Sequence, residues 1–234
     1  MKRFVLLDTA PIPENGGALC LFEYGEDFVI KIQGGDGGQL MNTRMHGSED
    51  ALAEIPCRKV AGRPNSRVLI GGLGMGYALD EALDVPGLRS VTVAEYEPLI
   101  VAWFATHMRE RASRAERDAR SRIVVADVAD LLPGGPRYDL IALDTDNGPQ
   151  WLIRADNARL YEAGGVRLVA QAVRPDGVVV FWSPERYEAF ESTLRESFGR
   201  VLAHQATDVV DGHDVQYTMF VCRGPRLERP SPAR

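Results

Sequence analysis

From residue 67 onward the chain alternates continuous apolar runs with segments of helical period, and this alternation restricts the fold more than any other feature. The apolar runs are "RVLIGG", "SVTVAEY", "RIVVAD", "YDLIALD" and "GVVVFW", and helix-period segments occupy 75–84, 97 to about 118, 155–173 and 184–198. A short helical turn follows "RIVVAD". Strands that are apolar on both faces and separated by helices form a parallel sheet covered on both sides. The expected fold is α/β, with a doubly wound, mostly parallel sheet. Two last strand-like runs near 200–209 and 214–222 flank "VVDGHDV", whose Asp-Gly turn predicts a hairpin and so an antiparallel strand near the C-terminus.

The segment before this domain reads differently. Residues 3–7, 18–24 and 27–33 are short strands broken by "PENGG" and "YGED", the pattern of a small antiparallel β appendage. "GSEDALAEIPCRKV" predicts a helix capped by Ser48 and interrupted at Pro56, and "AGRPNS" links it to the main domain. The expected division is 1–62 for the appendage and helix, 63–224 for the main domain and 225–234 for a loose tail. With 234 residues, 45% of them hydrophobic, the chain has material for a sizeable core.

A formal charge of −6 without a basic stripe argues against binding nucleic acid by phosphate neutralisation, and fits a cationic or neutral small substrate. The run "RERASRAERDARSR" reads as a solvated helix face laced by i,i+4 pairs. Cys20, Cys57 and Cys222 follow no disulfide or zinc pattern, so no metal is expected. No apolar stretch is long enough for a signal peptide or a membrane span, and a soluble cytoplasmic protein is expected. Unpaired edges of the small sheet suggest a homodimer.

In open α/β sheets ligands gather at the carboxyl ends of the strands, and four strand ends here carry glycines or acids. The first is the turn Gly71, Gly72, Gly74, Gly76, where absent side chains let a ligand approach backbone N–H groups. Its G-x-G-x-G spacing, with Tyr77 where a third glycine would stand, departs from the dinucleotide fingerprint and counts against a nicotinamide enzyme. The second is Glu95, 23 residues after Gly72 and suited to a ribose, with Glu97 beside it. The third is Asp127, which either caps the following helix or accepts from an adenine amine. The fourth is "YDLIALDTDNGP", where Asp144 and Asp146 favour a cation or amine over a metal; an Asx turn is the alternative role of Asp146. Trp151, Tyr77 and Trp182 offer ring faces to a sulfonium or ammonium, or simply pack.

From about residue 17 to 222 these motifs resemble the spermidine synthase-like family of class I adenosylmethionine-dependent transferases. Its GGGDGG loop is similar to Gly71–Gly76, its ribose acid to Glu95, its adenine-side acid to Asp127, and its DSxDPxGP loop to Asp144–Pro149 with one residue missing. In "DGGQLMNTRMHGSE" the residues Gln39 and Glu49 align with the family's glutamine and Y-x-E glutamate if one residue is deleted. The resemblance implies a seven-stranded Rossmann-like methyltransferase sheet and a donor bound by Gln39, the four glycines, Glu95, Asp127 and Asp144. It also implies Asp144 as the base, assisted by Asp146.

Two departures bear on the reaction. Gly74 replaces the aspartate that holds the amino end of decarboxylated adenosylmethionine, and Gly47 replaces the Y-x-E tyrosine, with His46 before it as a substitute substrate contact. Loss of a carboxylate relieves repulsion against a donor that keeps its own carboxylate. The expectation from sequence is methyl transfer from S-adenosylmethionine to an amine or similar small acceptor, with His46, Glu49 and Trp151 near the acceptor. The alternatives are aminopropyl transfer from decarboxylated S-adenosylmethionine, with Glu49 compensating for Gly74, and a non-catalytic adenosyl-ligand-binding protein.

Overall fold

In the computed structural model, residues 3–12, 17–34, 38–44, 46–134, 138–145, 148, 157–210 and 213–226 are described. Two sheets account for the strands. Strands β1 (Phe4–Ile12), β2 (Gly17–Tyr24), β3 (Asp27–Gln33) and β4 (Gln39–Asn42) form an antiparallel meander in sequence order. β4 falls within the "QLMN" stretch that the sequence presented only as a motif, because four residues carry too little alternation to announce a strand.

The second sheet has seven strands: β5 (Ser66–Gly71), β6 (Leu88–Glu95), β7 (Ser121–Val125), β8 (Tyr138–Leu143), β9 (Val173–Ser183), β10 (Phe198–Val210) and β11 (His213–Pro225). Their spatial order is β10-β11-β9-β8-β5-β6-β7, and β11, inserted between β9 and β10, runs antiparallel to both. All six residues of β8 are buried, as the central strand of a doubly covered sheet requires. The strand order reverses between β5 and β8, so their carboxyl ends open a crevice of the kind that binds ligands in doubly wound folds.

Seven helices cover the sheet: α1 (Gly47–Ala61), α2 (Tyr77–Asp84), α3 (Pro98–His107), α4 (Arg109–Arg117), α5 (Ala158–Tyr161), α6 (Ala163–Ala172) and α7 (Glu188–Ser197), among the described residues. α1 departs from expectation twice. Its cap position is His46, while Ser48 lies inside the first turn and donates to Glu49 Oε2 at 2.6 Å. It also runs unbroken through Pro56, because Leu52, Ala53, Pro56, Cys57 and Val60 are all buried and their packing outweighs a proline cost of about 3 kcal/mol. The expected long helix from 97 divides at buried Met108, whose ψ of 44° leaves the helical region.

The small sheet and the main domain share one core. Ala10, Ile12, Leu19, Leu21 and Ile30 pack in the same cluster as residues of α1 to α4 and one face of the large sheet. Trp103 Nε1 donates to Asp8 Oδ2 at 2.9 Å, and Tyr77 Oη donates to the Thr43 carbonyl at 2.9 Å. α1, placed by the sequence with the N-terminal segment, packs on β5, β8, β9 and β10. No helix among the described residues is long and apolar enough to cross a membrane. The charged run 109–122 pairs across helices rather than along one: Arg114 bridges Asp80 at 2.7 Å and Asp84 at 2.5 Å, both on α2.

Candidate functional site

A cavity of about 350 Å³ opens where the carboxyl ends of β5, β6 and β8 meet β4 and the start of α1. Its lining brings together Gln39, Glu49, Gly72, Gly74, Glu95, Asp127 and Asp144, seven of the residues that the motifs single out.

The floor is built from glycines with separate reasons to be glycine. Gly72 (φ +94°) gives its N–H to the Ala94 carbonyl, and a Cβ there would stand 2.2 Å from the Asp144 carbonyl oxygen. A Cβ on Gly76 (φ +85°), the residue before α2, would stand 2.2 Å from the Phe104 ring of α3. A Cβ on Gly71 would meet Leu143 Cδ2 at 2.8 Å. Gly74 (φ +52°) is the roomiest of the four: the nearest atom is Met41 Sδ of β4 at 3.3 Å. Gly71 and Gly76 thus serve packing, Gly72 the close approach of two loops, and Gly74 borders the cavity.

Glu95 ends β6 nearly buried, 9% exposed. Its Oε2 accepts from the Leu73 N–H and its Oε1 from the Glu97 N–H, both at 2.8 Å, which fixes the carboxylate in the cavity wall with capacity left for a ligand hydroxyl. Burial raises its pKa against the lowering effect of those N–H groups. Glu97 has the blander task, accepting from the Leu99 N–H as cap of α3. Asp127 caps the turn Val128–Leu131 through the Ala129 N–H at 2.8 Å, and its other oxygen pairs with Arg159. The capping role is therefore present beside the cavity position.

Asp144 follows β8 and donates its own N–H to the Gly71 carbonyl at 2.9 Å, so its backbone is tied to the glycine turn. Glu49, in the first turn of α1, is half-buried, and desolvation raises its pKa despite the Ser48 hydroxyl. An acid whose folded-state pKa is raised contributes stability below its ordinary value of 4.5 that is lost as pH rises through the folded value. Glu49→Gln is therefore expected to raise the melting temperature of the protein alone at neutral pH and to leave it unchanged in acid, as read by paired thermal melts.

Two sequence expectations change at the rim. His46 is absent from the described lining: its Nδ1 is 2.6 Å from Asp50 Oδ2 and its ring stacks on Tyr77, centroids 3.8 Å apart and planes 4° apart. The Arg111 guanidinium lies 3.9 Å over the same Tyr77 ring. Contacts this close need opposite faces, so the Tyr77 ring has no free face for a sulfonium and meets the cavity by its edge. Trp182 and Tyr217, tilted 5.5 Å apart, line the cavity instead, and Trp182 Nε1 is buried with no hydrogen-bond partner among the described residues. Tyr217 and Met41 were missed by sequence reasoning because strand alternation marks a residue's face and not its nearness to another sheet. Asp146 and Trp151 lie outside the described residues.

Five carboxylates line the cavity, those of Glu49, Glu95, Glu97, Asp127 and Asp144, and no Lys, Arg or His does among the described residues. Nor do those residues hold any group of three His, Cys, Asp or Glu suited to a metal ion.

No protein-family model matches the chain. Polyamine aminopropyltransferase 1 of Streptomyces coelicolor is 30% identical over 140 residues, covering 56% of this chain and 26% of that protein. Polyamine aminopropyltransferase 2 of the same organism is 30% identical over 164 residues, covering 65% and 29%. The matched stretches span less than a third of the length of these curated relatives. Among solved structures, a spermidine synthase in complex with the transition state analogue AdoDATO aligns with a TM-score of 0.71 at 15% identity, covering 93% of this chain and 71% of that one. Spermidine synthase from Thermotoga maritima aligns at 0.73 and 16%, covering 93% and 72%. A human methyltransferase-like protein 13 with bound SAH aligns less closely, at 0.54 and 16%, covering 79% and 82%. The chain is thus similar in sequence to polyamine aminopropyltransferases and has the fold of the spermidine synthases, class I Rossmann-like transferases. The curated relatives are aminopropyltransferases, which favours the aminopropyl alternative over the methyl transfer expected from Gly74.

Proposed function

We propose that this chain transfers an aminopropyl group from decarboxylated S-adenosylmethionine to a small amine acceptor. The observation that carries the reading is the sign of the cavity, with five acids and no base in its described lining. Intact S-adenosylmethionine would bring a carboxylate into that field, whereas the decarboxylated form offers only positive charge beside its adenosine. Gly74 removes one acid from the family pattern, but five others remain. Glu49, in the wall of the same cavity, takes the amino end of the donor in its stead.

The residues fit such a donor in kind: Glu95 for ribose hydroxyls, Asp127 for an adenine amine, and Gly72 and Gly74, whose missing side chains let the donor approach the backbone. When bound, the donor supplies a sulfonium leaving group, so positioning and one proton transfer remain for the protein. Asp144 orients the acceptor nitrogen and takes its proton as the new N–C bond forms and the C–S electrons stay on sulfur. Asp146 assists with a second positive group, Gln39 contacts the donor, and Trp182 borders the acceptor. The dimer suggested by the sequence would use edge strand β1, where Phe4, Val5 and Leu6 are about half exposed.

Product analysis tests the reaction. Incubation of the full chain with decarboxylated S-adenosylmethionine and a diamine is expected to release methylthioadenosine. Release of adenosylhomocysteine from intact S-adenosylmethionine instead would establish methyl transfer, and saturable donor binding without turnover of any amine would establish a binding protein.

A further inference from the structure

We infer that a second cavity, of about 320 Å³ and remote from the first, is a binding site for a phosphate-type anion. It lies at the other end of α1, on the face of the large sheet that α1 partly covers. Its charge is the opposite of the first cavity's. Lys59 and Arg63 reach it from the last turn of α1 and just beyond, and Arg200, His204 and Arg223 rise from β10 and β11, with no carboxylate in its described lining. In a chain whose acids outnumber Lys and Arg by 33 to 27, four such cations and a histidine around one cavity are a marked segregation of charge.

The strand register sharpens this. Arg200 on β10 stands directly across from Arg223 on β11. Side chains so paired begin about 5 Å apart, and like charges there destabilise a sheet unless something lies between them. Among the described residues no side-chain hydrogen bond or ion pair is made by either arginine, or by Lys59 or His204. Arg63 is partly engaged: its Nη2 donates to the Asp176 carbonyl at 2.7 Å, while its buried Nη1 lies 3.0 Å from Asp176 Oδ2 without hydrogen-bond alignment. Each guanidinium carries a planar fork of N–H donors that matches the oxygens of a phosphate. Val178, Leu202 and Val221 supply an apolar floor between them, and Leu202 is 40% exposed, so an apolar body attached to the anion has a surface to cover.

Calorimetric titration of the full chain at constant ionic strength, with inorganic phosphate and with phenyl phosphate, tests the site. Saturable one-to-one binding is expected, weakened about tenfold or more in the double variant Arg200→Gln, Arg223→Gln. Affinity for the adenosyl donor is expected to be unchanged. Without phosphate the double variant is expected to melt at the same temperature or higher, since repulsion is relieved; a lower melting temperature would show that the protein itself holds the arginines and would overturn the inference. Binding that is non-saturable, or equal in the variant, overturns it as well. If phenyl phosphate binds more tightly the site takes an organic phosphate ester, and equal affinities assign it to free phosphate.

Discussion

Asp144→Asn is expected to lower kcat for aminopropyl transfer by about 10²–10⁴-fold, the usual weight of a positioned general base, with little effect on donor affinity. The substitution preserves shape. The backbone N–H still reaches the Gly71 carbonyl, the residue's carbonyl still packs against Gly72, and the amide oxygen can still orient an amine. What is lost is the capacity to take a proton from nitrogen as the bond to carbon forms. The deficit should fall on kcat, with the donor dissociation constant, measured separately, moving no more than a few-fold. A loss below tenfold would show that solvent or another acid takes the proton, and would remove Asp144 from the proposed chemistry. Asp144→Ala cannot replace this test, since it also deletes the orienting group.

The strands and the crevice were legible because their signal is local. "YDLIAL" is apolar at both parities and became a fully buried central strand, and Gly72, Gly74 and the acids Glu95, Asp127 and Asp144 at strand ends fell into one cavity because parallel strands present their carboxyl ends to the same side. What was not legible depends on contacts between distant segments. Pro56 reads as a helix breaker until the buried face around it is known, and Tyr77 reads as an available ring until His46 and Arg111 are found on it. Arg114 reads as an i,i+4 partner until Asp80 and Asp84 on another helix claim it. Net charge is limited for the same reason. The net −6 is a sum, whereas recognition depends on where the acids gather, and the fold sends five to one cavity and none to the lining of the other. Gly74 shows as one missing carboxylate in the sequence, whereas the five that the topology gathers become visible only in the fold.

Gly72→Ala is expected to cost at least about 3 kcal/mol of stability and to abolish measurable donor binding, whereas Gly74→Ala in the same loop should cost about 1–2 kcal/mol. Both glycines have positive φ, so conformational strain alone does not separate them. Surroundings do. The methyl group at 72 would meet a main-chain oxygen, that of Asp144, at 2.2 Å, and this oxygen cannot withdraw without dragging the loop that follows β8. The methyl group at 74 would meet the end of the Met41 side chain at 3.3 Å, which can rotate aside. Relief at position 72 therefore requires the two loops of the switch-point crevice to part, which displaces Asp144 and loosens the turn whose Leu73 N–H holds the Glu95 carboxylate in the cavity wall. Chemical denaturation of both variants, with donor binding measured on each, checks the order. Equal costs would mean that the β5 turn and the Asp144 loop adjust independently, and the coupling of base to donor site through this one backbone contact would be wrong.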